Sequence, residues 1–323
     1  MQLIVVTNYI PGGGWEALEG YGQVVMPTEE ARRFTEEELW RMAPDAIAYL
    51  AGGPLSGKLI RASGNLRIIA NYGAGYERVD VEAATDCGVP VTNIPEETAF
   101  PTAEHALALM LSLSRRVAEL DRKMRLEGPE GYFGMGNAMT HSLEGKTLGI
   151  VGMGRIGRQM AAFGRALRMH ILYYNRRRLP PELEEDATYT TLPTLLSASD
   201  VVSLHCPLTP ETEGLLGREE LAMMKPSALL VNTARGKVVD NAALIAALQA
   251  HRIGGAALDV FPDEPHIPAA YLAMGQVVLA PHGGTNTHET RRRMTDACIE
   301  RMIDALSGYR PQNVVNPTIY QGG

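Results

Sequence analysis

The fold is decided by one stretch, Lys146-Thr147-Leu148-Gly149-Ile150-Val151-Gly152-Met153-Gly154-Arg155-Ile156-Gly157. It runs from an apolar strand pattern through three glycines into a helix pattern, which is the context that a dinucleotide-binding loop needs. Gly152 permits a tight turn, Gly154 lets a pyrophosphate approach the backbone, and Gly157 allows close packing of helix on strand. The stretch predicts a nucleotide-binding unit, and the alternative is a glycine-rich turn with no ligand.

Strand and helix patterns continue to alternate after this stretch. Such alternation is typical of a doubly wound parallel α/β sheet. The predicted strands are Thr147 to Val151, Ile171 to Tyr174, Val201 to Leu204, Ala228 to Val231, Ala256 to Leu258 and Val277 to Leu279.

The first hundred residues form a second α/β pattern upstream of the glycine loop. Its predicted strands are Leu3 to Thr7, Asp45 to Leu50, Leu66 to Asn71 and Pro90 to Asn93. Thr35 and Glu38 form a possible capping box, and Val79 to Cys87 reads as a helix that Gly88 ends.

Two long helices flank the predicted nucleotide-binding region. An apolar stripe predicts one helix from Thr102 to about Leu126, followed by an irregular loop from Glu127 to His141. Another helix is expected from Thr287 to Leu306, ending near Gly308. We therefore expect two Rossmann-like domains: a smaller, flavodoxin-like substrate domain from residues 1–99 and 291–323, with a dinucleotide-binding domain, residues 100–290, inserted in it.

Composition limits the classes of function. The chain has 323 residues, 45% apolar content and a formal charge of −7, which argues against an extended nucleic-acid surface. Met1 leads directly into an apolar strand pattern, and no apolar run reaches the roughly 20 residues that span a bilayer. Three cysteines far apart fit neither a disulfide framework nor a Cys-x-x-Cys metal site. We expect a cytoplasmic protein with no membrane or nucleic-acid partner.

The residues after the second strand of the nucleotide unit bear on cofactor choice. Asn175 lies eighteen residues beyond Gly157, where an NAD-specific fold usually has an acid against the ribose hydroxyls. Arg176, Arg177 and Arg178 follow it and can form charge-assisted bonds to a 2′-phosphate. The pattern favours NADP(H), with NAD(H) also possible; the alternative is an exposed basic turn that tolerates both cofactors.

Three residues near strand ends have the chemistry of oxo-acid reduction. Arg235 follows an apolar strand, and its guanidinium can hold a carboxylate and a neighbouring carbonyl. His282 follows another strand and can exchange a proton with an alkoxide. Glu264, bonded to that histidine, would stabilise the imidazolium. Taken alone, each of these residues could equally have a structural role. No metal site is expected, since the only other possible ligand at a short spacing from His282 is His288.

Several blocks together make the chain resemble the D-isomer-specific 2-hydroxyacid dehydrogenases over nearly its whole length. They are Asn71-Tyr72-Gly73-Ala74-Gly75-Tyr76, Pro207-Leu208-Thr209-Pro210-Glu211-Thr212, Asn232 to Gly236, Asp259 to Pro265 and Pro281-His282. Within the family, the Asn175-Arg176 pattern is similar to the NADPH-using glyoxylate/hydroxypyruvate and 2-ketogluconate reductases.

The resemblance implies roles for individual residues. It implies that Arg235, Glu264 and His282 are catalytic, that Asp259 lies beside the nicotinamide, and that a homodimer forms through the long helix from Thr102. The substrate contacts it implies are Ala51, Gly52, Ala74, Gly75, Arg235 and His282. The cofactor contacts it implies are Thr102, Gly152, Gly154, Arg155, Ile156, Gly157, Asn175, Arg176, Arg177, Cys206, Pro207, Thr212, Thr233, Ala234, Asp259, His282 and Gly284.

The resulting hypothesis is hydride transfer from NADPH to a 2-oxo acid of the glyoxylate, hydroxypyruvate or 2-ketogluconate type, giving a D-2-hydroxy acid. Two alternatives stay open. One is a dinucleotide-sensing binding protein or corepressor on the same scaffold, and the other is a dehydrogenase of an oxyanion such as phosphite.

Overall fold

The computed structural model describes residues 2–321, whose contacts group into two compact units. One comprises the described residues of Met1–Thr98 and Asn286–Gly323, and the other is Ala99–Thr285. The sequence-based division puts the corresponding boundaries after residues 99 and 290.

The first unit contains a five-stranded parallel sheet in the order β2-β1-β3-β4-β5. Its strands are β1 (Leu3–Val6), β2 (Gln23–Val25), β3 (Ala46–Ala51), β4 (Ile68–Asn71) and β5 (Val91–Thr92). Its helices are α1 (Glu36–Met42), α2 (Gly57–Ala62), α3 (Val81–Asp86) and α12 (His288–Leu306). Met294 and Met302 of α12 pack with Ile4 and Ile68 in one of the two apolar cores of this unit.

Helix ends in the first unit follow the local sequence signals. Thr35 and Glu38 form the predicted capping box of α1. Thr287 caps α12, its hydroxyl accepting from the Thr290 amide at 3.1 Å. Gly88, after α3, has a φ of +68°, a left-handed conformation that glycine adopts without strain.

The second unit contains a seven-stranded parallel sheet in the order β12-β11-β10-β9-β6-β7-β8. Its strands are β6 (Thr147–Val151), β7 (His170–Tyr174), β8 (Thr188–Tyr189), β9 (Val201–Leu204), β10 (Leu229–Asn232), β11 (Gly255–Leu258) and β12 (Val277–Leu279). Its helices from β6 onward are α6 (Arg155–Ala166), α7 (Pro181–Glu184), α8 (Leu192–Ala198), α9 (Arg218–Met223), α10 (Asn241–Gln249) and α11 (Ala269–Leu272).

The strand order fixes where a ligand can bind. Strands β6, β7 and β8 run outward in one direction and β9 to β12 in the other, so the order reverses between β6 and β9. Open parallel sheets bind ligands outside the carboxyl ends of the strands at such a reversal. The register aligns Asn232 of β10 with Leu258 of β11, and Leu258 with Leu279 of β12, so these three strands end side by side.

The predicted single helix from Thr102 to Leu126 is wrong. The structure has two helices, α4 (Pro95–Ser114) and α5 (Val117–Glu127). Between them Arg116 has a φ of +52°, which breaks the helical path. The Arg116 guanidinium holds Glu119 through two bonds of 2.7 and 2.8 Å, and these stabilise the break. The segment after α5 contains no helix or strand up to β6, as the glycines there predict.

Two short strands at sheet edges, β2 and β8, were not predicted from sequence. Short 3-10 turns cover Trp15–Leu18, Ala43–Asp45, Gly236–Val238 and Pro317–Tyr320. Of the helices in residues 2–321, none combines the length and the apolar composition required to cross a membrane.

Candidate active site

The glycine loop between β6 and α6 has three glycines with different reasons for lacking a side chain. Gly152 has a φ of +98°, and a Cβ there would lie 2.5 Å from the Cys206 amide nitrogen. A Cβ on Gly157 would lie 2.3 Å from the Gly152 carbonyl oxygen. A Cβ on Gly154 would meet no described atom within 4 Å. Packing within the chain therefore requires glycine at 152 and 157 but not at 154.

The open space at Gly154 fits a dinucleotide. Gly154 is the N-cap of α6 and has no side chain to cap the amides in the first turn of this twelve-residue helix. Those amides and the positive end of the helix dipole favour an anion such as a pyrophosphate. Arg155, Ile156 and Gly157 form the first turn of this helix.

The residues after β7 divide into two groups. The Asn175 side-chain oxygen accepts from the Met153 backbone amide at 2.7 Å, so the Asn175 side chain fixes the glycine loop. Arg176 and Arg177 are exposed. Arg178 instead donates from Nε and Nη2 to Glu184 at 2.8 and 2.9 Å.

Glu184 holds Arg178 as part of a larger group of hydrogen bonds. Glu184 also accepts a hydrogen bond from the Tyr173 hydroxyl. The Arg178 hydrogen bonds, followed by the Tyr173 bond, lower the pKa of Glu184 to about 2. A carboxylate that stays ionised at all working pH values holds the guanidinium firmly. Of the three arginines after β7, Arg178 is thus held by Glu184, whereas Arg176 and Arg177 are exposed.

The end of β9 borders the glycine loop. Cys206 is buried, and burial raises the pKa of its thiol to about 11, so it is an inert contact surface. The Thr212 hydroxyl accepts from the Thr209 amide at 2.7 Å and donates to the Pro207 carbonyl at 2.6 Å. These bonds fix the turn from 207 to 212, where cofactor contacts are predicted.

The end of β10 positions Arg235. Asn232 accepts from the Ala234 amide and donates to the Arg235 carbonyl, both at 3.0 Å. A Cβ on Gly236 would lie 2.1 Å from the carbonyl carbon of Phe261, so the chain after Arg235 packs directly on the loop after β11. The Thr233 hydroxyl is buried and has no hydrogen-bond partner among residues 2–321, which leaves it free for a bound cofactor.

The loops after β11 and β12 bring Glu264 and His282 together. His282 Nδ1 lies 2.8 Å from Glu264 Oε2, so the predicted pair forms. Glu264 Oε1 accepts from the Phe261 amide at 3.1 Å, which fixes the carboxylate from the other side. The carboxylate requires a proton on Nδ1, and Nε2 is then the nitrogen that can exchange a proton with a substrate.

Asp259 connects the same two loops. Its side chain is 1% exposed, and its two oxygens accept from the Gly283 and Gly284 amides at 2.7 and 3.1 Å. His105 Nε2, from α4, lies 3.1 Å from Asp259 Oδ1. A Cβ on Gly284 would contact Thr102 at 3.4 Å, so Thr102 also borders this turn.

The predicted substrate residues of the first unit lie at the ends of its own strands. Gly52, after Ala51 of β3, donates its amide to the Thr7 hydroxyl at 3.0 Å. After β4, Asn71 donates to the Gly73 and Gly75 carbonyls at 3.0 Å each, and Asn93 donates to the Ala74 carbonyl at 2.8 Å. The Ala74 and Gly75 amides have no partner in the described part of the chain and are thus free donors.

Two partners in the second unit were missed by sequence reasoning, His105 and Glu184. Their side chains pair with two residues that the sequence analysis named: His105 with Asp259, and Glu184 with Arg178. His105 lies among the apolar residues of α4. A histidine that interrupts an apolar stripe was the one sequence signal that could have indicated a polar partner for this helix. Within residues 2–321 no group of three His, Cys, Asp or Glu side chains could hold a metal ion.

Comparison with known proteins decides the family. Residues 107–284 match the family model described as "D-isomer specific 2-hydroxyacid dehydrogenase, NAD binding domain". The chain belongs to this family. It is therefore an NAD(P)-dependent D-2-hydroxyacid dehydrogenase with a nicotinamide dinucleotide as cofactor, as the resemblance implied.

Relatives match over almost the whole chain. A glyoxylate reductase from Thermococcus litoralis is 40% identical over 98% of this chain and 97% of its own. One from Korarchaeum cryptofilum is 41% identical over 98% of this chain and 96% of its own.

A solved structure also matches in fold. The NADPH-dependent glyoxylate/hydroxypyruvate reductase from Sinorhizobium meliloti, in complex with NADP and malonate, has a TM-score of 0.86. It is 31% identical, with 98% of this chain and 97% of the other covered.

Proposed function

We propose that the chain reduces a small 2-oxo acid of the glyoxylate or hydroxypyruvate type with NADPH, giving a D-2-hydroxy acid. The observation that supports it most is the Glu264–His282 hydrogen bond at the carboxyl end of the sheet that also holds the glycine loop. The names of the relatives, glyoxylate reductase and glyoxylate/hydroxypyruvate reductase, support the same substrate class. A 2-ketogluconate-type substrate belongs to the same proposal.

The reaction follows from the chemistry of three side chains. The bound nicotinamide supplies the hydride that the carbonyl carbon receives. Arg235 holds the substrate carboxylate and carbonyl oxygen in its planar guanidinium fork. His282, as imidazolium, donates its Nε2 proton to the oxygen as it becomes an alkoxide, and Glu264 stabilises the imidazolium through Nδ1. The carbonyl thus gains a hydride and a proton to become a hydroxyl.

The free amides of Ala74 and Gly75 are proposed to bind the substrate carboxylate. Asn71 and Asn93 fix the carbonyls of this turn, so its amides are held ready for an anion at no further ordering cost. Ala51 and Gly52 are proposed to border the substrate side chain.

Initial rates with a panel of oxo acids test the function. NADPH and NADH oxidation would be followed with glyoxylate, hydroxypyruvate, pyruvate, phenylpyruvate and 2-ketogluconate, and the chirality of the new 2-hydroxyl group determined for every product except the achiral glycolate. We expect NADPH-linked turnover of glyoxylate or hydroxypyruvate, with D-glycerate formed from the latter. Tight dinucleotide binding without turnover of any compound would instead favour the dinucleotide-sensing alternative.

The preference for NADPH is proposed to depend on Arg176 and Arg177. Both are exposed, and Arg178 is engaged by Glu184. Arg176→Ala should raise the KM for NADPH by about tenfold, since a charge-assisted bond contributes roughly 1.5–3 kcal/mol. The KM for NADH should stay near its wild-type value.

Arg218→Ala is the matched control, since Arg218 is an exposed arginine outside the loop. Equal changes of both KM values in Arg176→Ala would contradict the assignment of the phosphate site.

A homodimer is also proposed. The α5 helix buries no side chain, and large apolar side chains are exposed at its end and in the following loop: Leu126, Phe133, Met135 and Met139. Large apolar side chains exposed so close together along the chain favour an interaction surface in this region. Sedimentation equilibrium should give twice the chain mass of 35.1 kDa, and a monomer at micromolar concentration would contradict the proposal.

A further inference from the structure

We propose that His105 is a positioning residue that acts through Asp259 to hold the backbone turn bearing His282. The inference rests on the proposed function, in which His282 exchanges a proton with the substrate. In this proposal His105 does not contact the reacting atoms.

The turn after β12 is bonded to Asp259 through three successive amides. The His282 amide donates to the Asp259 carbonyl at 2.8 Å, the Gly283 amide to Oδ1 at 2.7 Å, and the Gly284 amide to Oδ2 at 3.1 Å. One residue of the neighbouring strand end thus satisfies the backbone donors of the whole turn.

The backbone at His282 needs such support. Its φ is +55°, in the left-handed region, which costs a residue with a Cβ about 1–2 kcal/mol. Without the bonds to Asp259 the turn would relax towards an ordinary φ, and the imidazole would move with it. Strain of this kind persists only where the surrounding structure fixes it.

The Asp259 carboxylate in turn needs a third donor. Both oxygens are buried, and the two glycine amides satisfy only part of their accepting capacity. His105 Nε2 lies 3.1 Å from Oδ1, and a proton on Nε2 makes His105 the donor to this carboxylate oxygen. Removing that donor leaves a buried carboxylate underbonded, which weakens its hold on the turn.

The position of His105 on α4 argues against a role in packing alone. Its neighbours in the stripe, Ala106, Leu109 and Met110, are buried apolar side chains of the core. The His105 side chain is 26% exposed, and its Nε2–H donates to the Asp259 carboxylate. The imidazole therefore contributes a directed hydrogen bond where an apolar side chain would suffice for packing.

Two substitutions of similar size separate the hydrogen bond from packing. His105→Leu removes the donor, and His105→Gln keeps an N–H near the place of Nε2. Glu104→Gln, at an exposed neighbouring position of the helix, is the control. Each variant would be assayed for kcat with NADPH and the best oxo acid, for dinucleotide Kd by NADPH fluorescence, and for Tm.

His105→Leu should lower kcat by about tenfold or more, because a small misplacement of a catalytic group is costly. Its dinucleotide Kd should change by less than about twofold, a split expected when only transition-state interactions are lost. His105→Gln should recover most of kcat.

Hydrogen exchange measured by mass spectrometry gives a readout that does not need turnover. The peptide spanning residues 282–284 should exchange faster in His105→Leu than in wild type, with exchange elsewhere unchanged. Wild-type exchange in this peptide, or wild-type kcat, in His105→Leu would overturn the proposal while leaving the proposed function intact.

Equal losses of Tm and of dinucleotide binding in His105→Leu and His105→Gln would also overturn the proposal, since they would show a purely structural role. A wild-type chain that reduces no oxo acid would instead remove the function, and with it the catalytic role of the turn.

Discussion

The Glu264 carboxylate lies between two fixed partners, and this determines what it can do. One oxygen accepts from the Phe261 amide at 3.1 Å and the other faces His282 Nδ1 at 2.8 Å. A carboxylate held in this way orients the imidazole and stabilises its charged form. The charge of Glu264, in addition to its shape, is therefore expected to matter for proton transfer.

Glu264→Gln isolates that charge. Glutamine retains an oxygen acceptor and nearly the same volume but removes the negative charge next to His282. We expect kcat for oxo-acid reduction to fall by at least about tenfold, which corresponds to about 1.4 kcal/mol of lost transition-state stabilisation. Steady-state rates and NADPH fluorescence titration would measure kcat and dinucleotide Kd separately.

Asp263→Asn is the matched control, because Asp263 is the adjacent exposed carboxyl group in the same loop. It should keep kcat close to wild type. A kcat in Glu264→Gln equal to that of the control would show that the charge of Glu264 has no part in the reaction.

Among the secondary-structure elements, the loop between β6 and α6 contains one glycine that packing within the chain requires and one that it does not. Gly157 is pressed against the Gly152 carbonyl, whereas Gly154 faces open space. Alanine at 154 would therefore fit the strand, turn and helix without strain, whereas alanine at 157 would overpack them.

Paired alanine substitutions test this distinction. Gly154→Ala should leave Tm close to wild type and weaken NADPH binding by about tenfold or more, because its Cβ occupies the space that the pyrophosphate needs. Gly157→Ala should lower Tm, since overpacking costs about 1–3 kcal/mol. Thermal denaturation and fluorescence titration measure the two effects. NADPH binding by Gly154→Ala that equals wild type would place the pyrophosphate elsewhere.

The elements that were predicted correctly have strong local signals. β6, β9 and β12 have the predicted bounds, because each is a short apolar run in a parallel sheet. The edge strand β2 was missed, since its three residues are not fully buried and carry no such run. The break at Arg116 was missed because an arginine in the left-handed region leaves no mark in composition.

The candidate site combines residues that strand patterns indicate with contacts that depend on tertiary packing. Arg235, Glu264 and His282 follow strand ends or lie in the loops after them, and the parallel order of the strands brings those ends together. The partnerships of His105 with Asp259 and of Arg178 with Glu184 depend on tertiary packing. Neither spacing nor composition specifies a contact between residues 154 positions apart, as His105 and Asp259 are.

At the scale of the whole molecule, His205 couples stability to pH. Its Nε2 bonds the Ser203 hydroxyl at 2.8 Å, and burial lowers the pKa of the imidazole to about 4. The unfolded chain binds this proton near pH 6.5 and the folded chain does not. The free energy of unfolding therefore falls as the pH falls from about 6.5 to 4, and this contribution is fully present above pH 6.5.

His205→Gln should remove this dependence while keeping a polar partner for Ser203. Between pH 7 and pH 5 the wild type should lose about 2 kcal/mol more stability than the variant. Urea unfolding at the two pH values measures the difference, and His141→Gln, at an exposed histidine, is the control. An identical loss of stability in His205→Gln and wild type would show that His205 does not titrate with unfolding.

The most direct measurement is the single-turnover rate of NADPH oxidation by glyoxylate in His282→Ala, compared with wild type and with His288→Ala. His288 is an exposed histidine at the start of α12 and serves as the matched control. We predict a fall of about 10²–10⁴-fold in His282→Ala, the usual contribution of a general acid, with NADPH still bound. A rate in His282→Ala equal to that of His288→Ala would contradict the assignment of His282 as the residue that protonates the substrate.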